Sequence, residues 1–300
     1  MTPRIHLLSV FAASATGGNP VPVVADARGM SDADMQAVAR SSGHESCFVF
    51  PAPIGSDSDF EFRFWVPNHE MEMCGHATLG AVWLLDHLKL LPRSEVSVLT
   101  KSGPVTASIT GFGTPEHRVE ISQPRGQLAF VPDKVASEAE ILSVLGITSS
   151  DLAPIPIQNA WTSRVKTLVP LRTVAGLDGL RPDFQRIEAL CDRLGSTGLY
   201  PYSPSDLDRQ IVDARQFPRA SGYPEDAATG IAASALAFGL LDNGLLVDDE
   251  RPVTVRQGRA MNRPSEITVR FRREPTRVVS GCWIGGHVRF EDVTDISREA

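Results

Sequence analysis

The sequence predicts an α+β fold in which strands wrap one apolar helix, a plan carried out twice along the chain. Three observations lead there. Two segments resemble each other, Glu70-Met-Glu-Met-Cys74-Gly75-His76-Ala77-Thr78 and Glu225-Asp226-Ala-Ala-Thr229-Gly230-Ile231-Ala232-Ala233, and each runs on into a leucine-rich stretch ending in Leu-Leu. Aligned, Glu70 falls on Glu225, Cys74 on Thr229, Gly75 on Gly230 and Ala77 on Ala232, which reads as an internal duplication. The length of 300 residues fits two domains of about 150 residues each. Strand candidates outnumber helices and do not alternate with them, which favours α+β over repeated β-α-β units.

The elements follow in order. Ile5 to Ala13 reads as a strand, broken at Thr16-Gly-Gly-Asn-Pro20, and Val21 to Ala25 as the next. Ser31 to Ser41 predicts a short helix, with a serine cap, an acidic first turn, apolar Met35, Val38 and Ala39, and a stop before Gly43. Cys47 to Pro51 and Phe60 to Val66 carry the apolar and aromatic content of strands. Gly75 to Leu91 is the first leucine-rich helix, followed by strands at Glu95 to Thr100, Val105 to Ile109 and His117 to Ile121. After a break at Pro124-Arg-Gly126 come a helix at Ala136 to Leu145, a strand at Val165 to Pro170, a helix at Phe184 to Leu194 and a strand at Gly198 to Tyr202. One strand, Ile211 to Phe217, leads into the second motif and its helix, Thr229 to Leu241. Strands at Val253 to Gln257, Ser265 to Phe271, Arg277 to Ser280 and His287 to Phe290 close the chain.

Composition narrows the function. The chain is 42% hydrophobic and 22% charged, and no apolar run approaches the ~20 residues of a membrane helix, so a water-soluble, cytoplasmic protein without membrane contact is expected. A net charge of −7 with scattered Lys and Arg argues against nucleic acid as a partner. The N-terminus lacks the charged head and apolar stretch of an export signal. Cys47, Cys74, Cys191 and Cys282 form no C-x-x-C pair and the seven histidines no H-E-x-x-H spacing, so neither a disulfide framework nor a metal is predicted.

Candidate chemistry gathers at the two motifs and at Gly43-His44-Glu45-Ser46-Cys47. Helices starting at Gly75 and Gly230 would present unbonded amides suited to a carboxylate, with Cys74, Gly75, Thr229, Gly230 and Ile231 as the substrate-binding set. Glu45 stands between a helix and a strand. It is either an exposed loop carboxylate or an acid/base facing apolar walls, able to take a proton from carbon and return one. His76 is either a structural histidine or a neutral imidazole serving a substrate oxygen at a helix start. Asp226 is either a helix-capping group or a substrate contact. Cys74 at a helix N-terminus has one of the settings that favour a thiolate, yet its counterpart Thr229 is too weak a base to oppose it, and packing against the helix is the other reading.

Gly18-Asn-Pro20, Glu45-Ser46 before a Phe-Val strand, Cys74-Gly-His-Ala-Thr78, Glu225-Asp-x-Ala-Thr-Gly230, and Gln257-Gly258 followed by Arg263-Pro-Ser265 resemble, in order and over nearly the whole chain, the PhzF family of phenazine-biosynthesis isomerase-like proteins. The resemblance implies a diaminopimelate epimerase-like fold of two similar lobes, each a β-barrel-like sheet around a central helix. Its active site would lie between the lobes and use no cofactor. It implies lobes of residues 1–124, rejoined by 281–300, and 125–280, and a homodimer. It also implies that Glu45 shuttles the proton while His76 and Asp226 contact the substrate. In the related epimerases two cysteines act as opposed bases, whereas here Thr229 takes the second place. Two departures stand out. Ile231 occupies the position of a usual serine, replacing a hydroxyl contact by an apolar branched side chain, and Ala227 replaces a usual proline.

The expected function is a cofactor-independent isomerase that shifts a proton, and with it a double bond, in a small unsaturated carboxylic acid of secondary metabolism. Glu45, His76 and Asp226 would be the catalytic residues. The alternatives are an amino-acid epimerase or racemase using Cys74, and a non-catalytic metabolite-binding relative.

Overall fold

The computed structural model describes residues 4–246 and 249–295. They form two compact units, one of residues up to 122 together with those from 285 onward, the other of residues 123–284. Of the segment 281–300 expected to rejoin the first lobe, residues 296–300 lie outside the described residues.

The first unit opens with β1 (Arg4–Val10) and β2 (Asn19–Val24), paired antiparallel. Helix α1 (Asp32–Ser42) has the predicted limits within a residue. Ser31 and Asp34 form a reciprocal capping box, and Gly43 ends the helix at φ 68°, a left-handed conformation that costs glycine little. Its apolar side, Met35, Val38 and Ala39, packs with Val24, Phe48 and Trp65 into a core of its own. Then come β3 (Ser46–Pro51), β4 (Phe60–Trp65) and the two-residue β5 (Glu70–Met71). Helix α2 (Gly75–His87) follows, then β6 (Glu95–Thr100), β7 (Gly103–Thr110) and β8 (Arg118–Pro124). Helix α2 is buried on nearly every side and lies against β1, β2 and β3. The approach is close at Gly80, where a β-carbon would stand 2.9 Å from Val10 Cγ2 and 3.1 Å from Val21 Cγ1.

The second unit holds β9 (Gln127–Phe130), α3 (Lys134–Leu145), β10 (Gln158–Trp161), β11 (Lys166–Pro170), α4 (Val174–Gly179), α5 (Phe184–Leu194) and β12 (Gly198–Asp206). It continues through β13 (Ile211–Ala214), β14 (Phe217–Pro218), α6 (Gly230–Asp242), β15 (Val253–Gln257), β16 (Ser265–Arg273) and β17 (Val279–Gly285). The chain then returns to the first unit as β18 (Val288–Asp295), antiparallel to β1. Helix α6 is buried like α2 and contacts β9, β10, β11 and β16.

Strand pairing carries the duplication further than the sequence does. In the first unit the order β18-β1-β2-β3-β4-β6-β7 is joined antiparallel, antiparallel, parallel, antiparallel, parallel, antiparallel. In the second, β9-β10-β11-β12-β13-β15-β16 is joined in the same succession. Helices α2 and α6 fall at equivalent places, between the fifth and sixth strands of each series.

Several elements depart from expectation, among them the short β5 and α4, which were not predicted. Strands β9 and β10 were not predicted, because β10 carries buried Gln158 and Asn159 where an apolar run would be looked for. Asn159 is satisfied inside the unit, donating to Leu194 O at 2.8 Å and accepting from the Thr167 hydroxyl at 2.8 Å. The single strand expected over 211–217 is interrupted at Arg215 and Gln216. Its two parts keep one register along β12, Tyr202 opposite Ala214 and Leu199 opposite Phe217, while the Gln216 carbonyl turns to accept from Asp226 N at 3.0 Å. Beside the central helix of the second unit, the flanking helices expected over 136–145 and 184–194 are present as α3 and α5. Helices α3 and α5 pack together in the second unit over a separate core that includes Ile141, Leu145, Ile187, Leu190 and Leu199.

Candidate active site

Glu45 stands where α1 has ended at Gly43 and β3 has not yet begun. The turn is held by His44 N donating to Ser42 Oγ at 3.4 Å and Ser46 Oγ donating to the His44 carbonyl at 3.1 Å. Its carboxylate is mostly buried, with 14% of the side chain exposed, which sets aside the exposed-loop reading. Cys74 is the N-cap of α2, in extended conformation and without a side-chain cap bond. Its carbonyl accepts from Thr78 N at 2.9 Å and Thr78 Oγ1 at 2.8 Å. That anchoring leaves the thiol free to turn outward from the helix end.

The thiol donates to Glu45 Oε2 at 2.8 Å, and Cys74 Sγ lies 3.3 Å from His76 Nδ1, which is 3.7 Å from Glu45 Oε2. Three groups singled out in the sequence therefore meet, Glu45 from a position 29 residues before Cys74. His76 is buried, and its Nε2 has no hydrogen-bond partner among the described residues. Of the two readings of Cys74, the surroundings favour the packed thiol over the thiolate. Burial, followed by the charge and hydrogen bond of Glu45, pushes the Cys74 thiol well above its ordinary range, and the Ala77 amide offsets only part of this. The sulfur is a protonated donor toward Glu45.

Asp226, Thr229, Gly230 and Ile231 are assembled in the second unit. Thr229 caps α6, and its hydroxyl donates to Asp226 Oδ2 at 2.5 Å. Gly230 opens the helix, and Ile231 beside it is half-buried. Two residues hold this arrangement. Gln257 donates through Nε2 to the Asp226 carbonyl at 2.6 Å and to Thr229 Oγ1 at 3.2 Å, while its Oε1 accepts from Thr229 N at 3.3 Å and from the Tyr200 hydroxyl at 3.0 Å. Gly258 follows in left-handed conformation (φ 80°), and a β-carbon there would stand 2.2 Å from the Arg263 carbonyl and 2.7 Å from that of Ala227. The Gln257-Gly258 pair is thus the brace of the second motif. Tyr200 carries no motif of its own, and only its place in a buried strand of aromatic residues could have drawn attention to it.

The two aligned glutamates share a role that the sequence did not disclose. Glu70 accepts from Arg63 at 2.7 and 2.8 Å and is also approached by Lys101. Glu225 accepts from Arg215 at 2.8 and 2.7 Å, and Arg215 Nη1 donates to the carbonyls of Leu177, Asp178 and Leu180. Each guanidinium lies over an aromatic ring two residues on, Arg63 over Trp65 at 5.9 Å and Arg215 over Phe217 at 5.0 Å. These bidentate pairs fix the chain just before each helix start. Burial raises the Glu70 carboxyl, but Arg63 and Lys101 outweigh it and hold the group below its ordinary range.

Comparison with known proteins gives the family and the fold. Residues 8–285 match the family model described as phenazine biosynthesis-like protein, PhzC-PhzF. The chain is 30% identical over 290 residues to the "Uncharacterized isomerase YddE" of Escherichia coli (strain K12), covering 94% of this chain and 95% of that one. A crystal structure of a PhzF-family phenazine biosynthesis protein from Bacillus anthracis superposes with a TM-score of 0.86 at 22% identity, covering 99% of this chain and 100% of the other. A hydroxyproline epimerase from Agrobacterium vitis shares the fold at a TM-score of 0.62 and 13% identity, covering 98% of this chain and 92% of the other. With its mixed α+β architecture and a family match spanning nearly its whole length, the chain belongs to the phenazine biosynthesis-like (PhzC-PhzF) family of isomerases.

Proposed function

We propose that this isomerase moves a proton between two carbons of a small unsaturated carboxylic acid of secondary metabolism, with Glu45 as the single acid/base. The observation that carries the reading is the 2.8 Å contact in which the Cys74 thiol donates to Glu45 Oε2. Burial and the neighbouring carboxylate favour the protonated form of this sulfur, which supports Glu45 rather than Cys74 as the base. In the forward step a C–H bond at an allylic carbon breaks, the proton goes to the Glu45 carboxylate, and the electron pair spreads into the conjugated acid. In the second step the same oxygen gives the proton to another carbon of that system, and the double bond has moved.

The other groups steady the charge that develops. His76 Nε2, buried and without a partner, is suited to a substrate oxygen. The first-turn amides of α2 at Gly75 and His76 have no partner within their helix and suit a carboxylate. Asp226 and the α6 amides at Gly230 and Ile231 are read as the acid-binding groups of the second unit, with the Ile231 side chain selecting for an apolar substituent in place of a hydroxyl. Glu45→Gln tests the assignment. It is expected to abolish turnover while calorimetry still detects ligand binding, and near-normal turnover would overturn the mechanism.

A further inference from the structure

We propose that Glu45, Cys74 and His76 form a binding site for Zn2+. The three donor atoms, a carboxylate oxygen, a thiol sulfur and an imidazole nitrogen, all lie within 4.8 Å of one another on mostly buried side chains. Sulfur and imidazole together select a borderline-soft ion such as Zn2+ over Mg2+ or Ca2+. Bond lengths of ~2.3 Å to sulfur, ~2.05 Å to nitrogen and ~2.1 Å to oxygen require tetrahedral edges of about 3.6 Å for S···N, 3.6 Å for S···O and 3.4 Å for N···O. The edges present are 3.3, 2.8 and 3.7 Å. Two already fit within a few tenths of an ångström. The third is short because a proton now bridges sulfur and carboxylate, and that proton is the one a metal displaces.

Binding is therefore an exchange with a definite balance. The Cys74 S–H bond breaks and its proton leaves to solvent, and the thiolate, the Glu45 carboxylate and the Nδ1 lone pair of a neutral His76 each form one bond to the ion. Three protein ligands leave a fourth position for water or a substrate carboxylate, the open arrangement of accessible zinc sites. Ligand-spacing rules miss the set because Glu45 precedes the Cys-x-His pair by 29 residues. Glu45 cannot carry a proton while it coordinates a metal, so occupancy would stop turnover. That consequence rests on the acid/base reading above, whereas the binding itself does not.

The test uses the full-length protein, reduced and freed of metal by a chelator, titrated with Co2+ as a spectroscopic substitute. One equivalent is expected to give a near-ultraviolet thiolate-to-cobalt band and visible tetrahedral transitions, both lost on adding Zn2+. Cys74→Ser should abolish the thiolate band and Cys47→Ala should keep it. Glu45→Gln and His76→Gln, which stand in should the Cys74 variant not fold, should weaken binding while keeping the band. Absence of the band in the wild type, its survival in Cys74→Ser, or unchanged affinity in both other variants would each overturn the proposal. Loss of turnover in metal-free Glu45→Gln would still stand after any of those results, so a failure here is distinguishable from a failure of the acid/base assignment.

Discussion

Glu45 and Cys74 touch, and which of them holds the proton decides the chemistry. The thiol is buried beside a carboxylate, an environment that opposes a second negative charge more strongly than the amide end of α2 favours one. Serine in place of Cys74 keeps a donor toward Glu45, and one such bond is worth ~1 kcal/mol net, so Cys74→Ser is expected to retain turnover within about tenfold. Cys74→Ala, which loses the donor, should be the slower of the two in initial-rate assays. A thiol acting as base predicts instead that the serine and alanine variants are equally inactive. Residue types at this site were legible in the sequence, since Glu45, Cys74 and His76 each stood out there. Their meeting was not, because it depends on β3 beginning one residue after Glu45 and on an extended Cys74 that turns its side chain off the helix end. The two readings of the thiol stayed open for a related reason: helix-end electrostatics can be read from position, but desolvation requires the packed surroundings.

The two helix starts are held by matching arginine–glutamate pairs that differ in burial. Arg215 and Glu225 have side chains only 8% and 10% exposed, whereas Arg63 is 23% exposed and Glu70 keeps Lys101 as a second partner. Removing one member of a buried pair strands the other at a cost of about 3–5 kcal/mol. Arg215→Met should therefore lower the thermal midpoint markedly, and Arg63→Met distinctly less, in parallel melts. Equal losses would contradict this account of the braces. Helices α1 and α5 were predicted within a residue because caps and apolar spacing are local signals. Strand β10 and the arginine partners were not, since a satisfied buried amide looks polar in sequence and the arginines precede their glutamates by different separations, seven residues and ten. The interruption at Arg215 has the same origin, a side chain bonded to three carbonyls far from it in sequence.

At the scale of the whole molecule, the same succession of strand pairings appears twice, yet the chemistry is not duplicated with it. The residue before β3 is Glu45 and the residue before the equivalent β12 is Thr197, while the cap of α2 is Cys74 and that of α6 is Thr229. One unit thus carries the titratable pair and the other carries hydroxyls, which suits one proton carrier rather than two opposed bases. The molecule's buried thiols and phenols also set its response to alkali. Burial raises Cys47, Cys74 and Tyr200 well above their ordinary values, Cys191 to about 11 and Cys282 to about 12. The unfolded chain releases its thiol protons near pH ~8.5–9 while the folded chain retains them, so above that pH the unfolded state binds fewer protons and stability falls as pH rises. Calorimetric midpoints should be level from neutrality to about pH 8 and decline between pH 9 and 12; a flat profile there would contradict the burial of these groups. The central claim is that one carboxylate lifts a proton from carbon and returns it. Proton NMR in deuterium oxide tests it most directly, following a panel of dihydroaromatic, dienoic and cyclic-imine carboxylic acids with the wild type and with Glu45→Gln. The account predicts a double-bond shift by the wild type alone, with deuterium at the receiving carbon reporting how often the proton on Glu45 exchanges with solvent. Isomerisation that continues in Glu45→Gln, or exchange at an amino acid's α-carbon that is lost in Cys74→Ser, would contradict it.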